Sequence, residues 1–210
     1  MNRDAAATRQ RILNEAKAHF ARHGFDGATV RKIAASAGVA PNLITRYFGG
    51  KAGLFRAATA VDLDVAGVVS GPFSSLGDRI AAKVVERWEA ADSEDPLLMM
   101  LRSAGTSDVA AAALGDFMLQ RAAAPLSDYL PAVTGCTPVE AQAQAAAVGS
   151  IIMGAVTTRY VLRTGPLAAA SRAAVARWLA DQIQRLLDPS GVVSLAAAEG
   201  SRADLPPVGG

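Results

Sequence analysis

Gly24, Gly38, Gly49 and Gly50 cut the helical periodicity of the first sixty or so residues into short pieces, and that punctuation leaves few ways to fold them. From Thr8 to His23 the apolar residues Ile12, Leu13, Ala16 and Phe20 recur at helical spacing, with charges on the other side. Gly24 is a stop for that helix. Thr29 offers a side-chain cap for a second, Val30 to Ala37, with Val30, Ile33, Ala34 and Ala37 facing inward. Gly38 ends it, Val39 and Ala40 turn the chain, and Pro41 suits the first position of a third helix. Leu43, Ile44, Tyr47 and Phe48 give that helix its apolar side before Gly49 and Gly50 close it.

The same periodicity extends downstream. It predicts a fourth helix from Lys51 past Val61 and Val65 to Val69, then helices over Leu76 to Ala90, Asp95 to Gly105 and Asp108 to Leu130, the last interrupted near Pro125. Two long helices follow, an alanine-rich one from Pro138 to Leu162 and one from Pro166 to Leu187. The chain is 51% hydrophobic but only 5% aromatic, which favours close-packed helices over sheets rich in Val, Ile and Tyr. The expected fold class is therefore all-α: a three-helix domain over 1–56, a larger helical bundle over 57–188, and a disordered tail over 189–210.

Charge separates the two parts. Residues 1–56 hold ten Lys and Arg against Asp4, Glu15 and Asp26, a net of +7, while the remainder nets −5. A polyanion suits the first part, although a small domain is also made basic by solubility alone. Cys136 is the lone cysteine, so neither an internal disulfide nor a cysteine-based zinc site is available. The first twenty residues lack an apolar leader core, and no later stretch has eighteen apolar residues free of polar breaks, so a cytoplasmic chain with no membrane partner is expected.

Three short helices with a three-residue glycine turn between the second and third match a helix-turn-helix, whose third element enters the major groove of DNA. The run from Thr29 to Phe55, TVRKIAASAGVAPNLITRYFGGKAGLF, resembles the TetR family of bacterial regulators. It matches that family's pattern at Thr29, Ile33, Ala34, Ala37, Gly38, Val39, Phe48, Lys51 and Leu54, supported by Gly24 and Phe25 at the end of the first helix. The RSA of Arg102 to Ala104 and the RYVL of Arg159 to Leu162 resemble one subgroup of its second domains. The resemblance implies a transcription repressor that binds a palindromic DNA operator as a homodimer and is released by a small-molecule effector. Effector binding would shift the fourth helix and change the separation of two recognition helices. Activation instead of repression is compatible with the same parts.

Chemistry and the matched positions assign roles. Thr29 and the amides after it, and Lys51 at the start of the fourth helix, are expected on phosphates, with Arg46 and Tyr47 within reach of others. Pro41 fixes the start of the third helix, because Ala40 stands where the family often has a capping Ser or Thr. Asn42 and Thr45 are short polar residues placed to read base edges, and Thr45 departs from the tyrosine frequent in the family. The alternatives stay open: Asn42 as a local cap, Arg46 as a solvated charge.

Trp88, Met99, Met100, Phe117, Met118 and Tyr160 are candidates for the effector pocket, because flexible methionines and aromatics line such sites; ordinary core is the competing role. Gly149, Ser150 and Gly154 permit close helix approach. With Ile151, Val175, Trp178, Leu179, Ile183 and Leu186 they suggest a four-helix dimer interface, unless one subunit buries both helices itself. His19 and His23 have metal-ligand spacing but no third ligand, so no metal or other cofactor is expected. The parts of a nucleophilic or nucleotide-hydrolysing enzyme are missing. A helical protein- or membrane-binding module, or a cofactor-free enzyme using the bundle cavity, are the rival readings.

Overall fold

The computed structural model describes residues 3–61, 65–90 and 95–188, and every regular element among them is helical. The expected disordered tail, 189–210, lies outside the described residues. The chain divides into two units, one made of Met1–Leu63 with Arg87–Met118, the other of Asp64–Glu86 with Leu119–Gly210.

In the first unit, α1 (Arg3–Gly27) bends at Gly24, whose φ of 67° and ψ of −177° leave the helical region. Helices α2 (Val30–Ser36), α3 (Pro41–Phe48) and α4 (Lys51–Ala58) follow within a residue or two of the expected bounds at their starts and turns. Ile12, Phe20, Ile33, Ile44, Leu54 and Phe55 lose essentially all their exposure. Each such side chain contributes on the order of 1.5–3 kcal/mol. Phe55 meets Phe20 and Phe25 edge-on, at 5.0 and 5.1 Å between ring centres, and so joins α4 to the end of α1. Helices α7 (Pro96–Ala104) and α8 (Asp108–Asp116) complete this unit, α7 packing on α1 and α8 on α4. Asp95 closes the start of α7, accepting from the amides of Leu97 and Leu98, and pairs with Arg87 at 2.7 Å.

The long fourth helix expected from the sequence is not formed. Helix α4 ends at Ala58: Thr59, whose amide still closes the last helical bond to the Phe55 carbonyl, leaves the helical region at φ −99° and ψ 10°, and Ala60 and Val61 are not helical. Val65–Val69 is a separate short helix, α5, in the second unit. A movement carried along one continuous helix from 51 to 69 is thereby ruled out in this conformation.

The second unit also contains the body of α6 (Leu76–Glu89), α9 (Ala124–Thr134), α10 (Pro138–Val156), α11 (Gly165–Ala169) and α12 (Arg172–Leu187). The helix expected over Asp108 to Leu130 is interrupted by a π-helical turn, Phe117–Ala123, which hands over to α9 with Pro125 in its first turn. A second π turn, Thr157–Leu162, continues α10. The last expected helix is likewise divided: Ala170 is extended, and Ser171 caps α12 by accepting from the Ala174 amide. Leu76, Leu130, Ala141, Val148, Leu179 and Ile183 form the centre of this unit's core. Gly77 is required here, since a Cβ on it would stand 2.5 Å from the Ala180 carbonyl oxygen, and its amide donates to Gln184 Oε1 at 2.8 Å.

Three residues expected at a dimer interface are instead internal. Val175, Leu179 and Ile183 are 4%, 1% and 0% exposed in the single subunit, so a second copy has nothing further to cover there. Periodicity located the apolar face of α12 but not which partner buries it. Trp178 is 36% exposed, and Ile151 and Leu186 are half-buried. The segment Pro138–Leu162 is by length and composition apolar enough to cross a membrane, and 22% of its most apolar stretch is buried within the subunit.

Candidate nucleic-acid interface

The interface begins with two helix starts of different construction. Thr29 is extended, and its hydroxyl oxygen accepts from the Lys32 amide at 3.3 Å, which opens α2. Gly38 takes φ +62° to make the turn, and Ala40 offers no side chain to cap α3, leaving Pro41 at the first helical position. The apolar side of α3 then faces the core: Ile44 is fully buried, and Leu43, Tyr47 and Phe48 are partly so.

Its opposite side is bare. Pro41, Asn42, Thr45 and Arg46 are all exposed. Neither the Asn42 amide nor the Arg46 guanidinium has a hydrogen bond or ion pair among the described residues, so the local-cap role for Asn42 is not used. Three side chains, those of Asn42, Thr45 and Arg46, thus present polar groups with no internal task, on a helix fixed from behind. Tyr47 sits at the edge, half-buried.

Lys51, expected on a phosphate, has an internal task in the structure. Its ammonium donates to the Asp26 carbonyl at 3.2 Å and lies 4.5 Å from the Phe25 ring centre, tying the start of α4 to the end of α1. An ammonium has three donors, so a phosphate can still be taken by the others.

Several positioning residues were not anticipated from the sequence. Arg11 donates through Nε to the Ala37 carbonyl at 2.8 Å, satisfying the end of α2, and His19 Nε2 meets Ser36 Oγ at 2.9 Å. Both join α1 to α2 across separations in the chain that no local pattern reveals. Arg9 lies 4.9 Å from the Phe48 ring centre, adding a cation beside α3. Gly53 is demanded by proximity: a Cβ there would overlap the Phe48 carbonyl oxygen and stand 2.9 Å from its carbon. His19 and His23 have no third metal-ligating group near them among the described residues.

The expected pocket residues do not form one described cavity. Trp88, Met99 and Met100 are buried and Phe117 and Met118 half-buried in the first unit, whereas half-buried Tyr160 belongs to the second.

Comparison with known proteins agrees with this geometry. The model for bacterial regulatory proteins of the tetR family matches residues 12–58, covering α2 to α4 and most of α1. The model for the tetracyclin repressor-like C-terminal domain matches residues 74–187, more than half of the chain. The chain belongs to the TetR family. The HTH-type transcriptional repressor SCO4008 of Streptomyces coelicolor is 49% identical over 53 residues, 25% of this chain and 28% of that protein. The HTH-type transcriptional repressor AcnR of Corynebacterium glutamicum is 42% identical over 55 residues, 26% of this chain and 29% of that protein. The chain thus spans under a third of the length of the curated relatives it matches. A solved TetR-family regulator from Streptomyces coelicolor superposes with a TM-score of 0.63 at 27% identity, covering 86% of this chain and 94% of that one. A regulator structure from Pseudomonas aeruginosa, 20% identical with a TM-score of 0.63 over 87% and 91% of the chains, shares the fold.

Proposed function

We propose that this TetR-family chain is a transcription repressor that binds a palindromic operator as a homodimer and is released by a small-molecule effector. The observation that carries the reading is the unpartnered polar face of α3, with Asn42, Thr45 and Arg46 exposed on a helix whose back is locked into the core. Asn42 and Thr45 suit base edges; Thr29, Arg46, Tyr47 and Lys51 suit phosphates, in a segment with a net charge of +7. Family membership supports the same assignment.

A second copy of the chain is the occupant proposed for the uncovered faces of α10 and α12. Val139 and Trp178 are exposed there, and Ala146, Ser150 and Gly154 offer a small-residue surface for close helix packing. Two subunits related by a two-fold axis would present two α3 helices to inverted half-sites about 10–10.5 bp apart, or a multiple of that.

Release is proposed to act through α7 and α8 and not along an extended fourth helix. Both helices belong to the first unit, where they pack on α1 and α4, so an effector touching Met99, Met100, Phe117 or Met118 bears on the helices that hold α3. Selection of random duplexes by the full-length protein tests the proposal. Enriched sequences should be inverted repeats bound with steep salt dependence. Salt-dependent binding with no sequence preference would contradict it.

A further inference from the structure

The last turn of α1 and the facing side of α7 enclose a cleft of about 300 Å³ that none of the α3 residues lines. Its origin is the bend at Gly24. There the chain leaves the helix, the Phe25 amide is taken by the Ser103 hydroxyl at 3.2 Å, and Ser103 is itself only 2% exposed. The bend takes Gly24 to a φ of +67°, which side chains rarely adopt, and places the Cβ position in ordinary contact, 3.5 Å, with that hydroxyl. The floor is apolar, built from the buried Phe20 and Met99.

The rim carries charge without internal partners. Arg22, two residues before the bend, and Arg102, on α7, both line the cleft and are exposed. Neither makes a hydrogen bond or ion pair among the described residues. Asp26 is the single carboxylate in the lining. Two guanidinium groups against one carboxylate, over a hydrocarbon floor, select an anion with an apolar body and disfavour a cation.

We propose that this cleft binds a small organic carboxylate. The carboxylate is taken by Arg22 and Arg102, whose planar forks match its two oxygens, and the hydrocarbon portion lies on Phe20 and Met99. The volume sits at the lower end for small-molecule sites, which limits the ligand to a few carbons. All of these groups lie in one unit, Phe20 and Arg22 on α1, which also packs against α2 and α4, and Met99 and Arg102 on α7.

Butyrate, with butyramide as its uncharged counterpart, is the probe. In the 15N-labelled full-length protein, butyrate should shift the Gly24 and Thr106 amide resonances in a saturable way, and butyramide should not. The Arg22→Gln/Arg102→Gln double variant should bind butyrate about tenfold more weakly or worse, the order expected for a lost charge-assisted hydrogen bond. Arg102→Lys, which keeps the charge but loses the fork, should fall between the two, and Arg185→Gln on α12 should bind like the wild type. Equal shifts with butyramide, no shifts at Gly24 and Thr106, or unchanged affinity in the double variant would overturn the site. No DNA is present in the experiment, so its failure is distinguishable from failure of the operator reading.

Discussion

Replacing Gly53 by alanine should damage the DNA-binding unit, although the substitution looks favourable on local grounds. Alanine is preferred to glycine inside a helix by about 1 kcal/mol. Against that, the new Cβ would occupy the position of the Phe48 carbonyl oxygen and approach its carbon to 2.9 Å. Phe48 cannot simply rotate away, because the atoms involved are backbone and the turn after them is held. The Gly49 amide donates to the Thr45 carbonyl at 2.9 Å, and Lys51 is tied to the Asp26 carbonyl. Relief therefore requires α3 and α4 to separate, an overpacking strain of about 1–3 kcal/mol that exceeds the propensity gain. For a chain of this length each 1 kcal/mol lowers the unfolding midpoint by about 2–4 °C. Gly105→Ala is the control: nothing lies within 4 Å of its Cβ and φ is −74°, so stability should hold or rise by up to about 1 kcal/mol. Thermal unfolding followed by circular dichroism, with operator titration alongside, reads both variants. A Gly53→Ala protein as stable as wild type, with unaltered operator affinity, would refute the reasoning.

Lys51→Ala should reduce the salt slope of DNA binding by roughly one unit, with a uniform loss of affinity across sequences; an unchanged slope would leave Lys51 only its tie to Asp26. Ala146→Arg with Trp178→Arg, both exposed, should give a helical monomer by light scattering, whereas Leu179→Glu, which places a carboxylate at a 1% exposed core position, should unfold the second unit. Folded Leu179→Glu protein or a dimeric double-arginine variant would count against this division of α12. The Thr137 amide and hydroxyl both donate to Glu140, which holds its carboxyl below the ordinary value, backbone bond first and hydroxyl second. A depressed folded pKa means that the stabilisation is present at neutral pH and fades as pH falls through that folded value, so Glu140→Gln should remove the acid-dependent part of amide protection at the start of α10.

The DNA-binding helices were legible because their signals are local. Thr29, Pro41 and the glycines at 38 and 49 act within four residues of themselves, and the structure uses each as expected. What escaped depends on distant atoms. Arg11 and His19 look like surface charges until α2 brings Ala37 and Ser36 beside them, and Gly53 looks like a weak spot in a helix until Phe48 is placed. Helix α12 shows the same limit at larger scale: its periodicity marks Val175, Leu179 and Ile183 as apolar-facing, but burial by its own subunit or by a second copy has the same pattern in one dimension. The break after Ala58 escaped because Thr59 is tolerated in helices and no glycine or proline marks the point where its backbone leaves the helical region. The residues 87–118 were expected with the second part of the chain by continuity, and packing of α7 and α8 on α1 and α4 groups them with the first.

The central claim, that α3 reads DNA sequence through its exposed polar face, is tested most directly by titrating every single base-pair variant of the selected operator half-site with wild-type protein, Asn42→Ala and Thr45→Ala. Each variant protein should lose discrimination at one or two adjacent positions, by about 1–3 kcal/mol where a good contact is removed, and keep it elsewhere. Equal loss on every operator variant, or no loss on any, would contradict the claim.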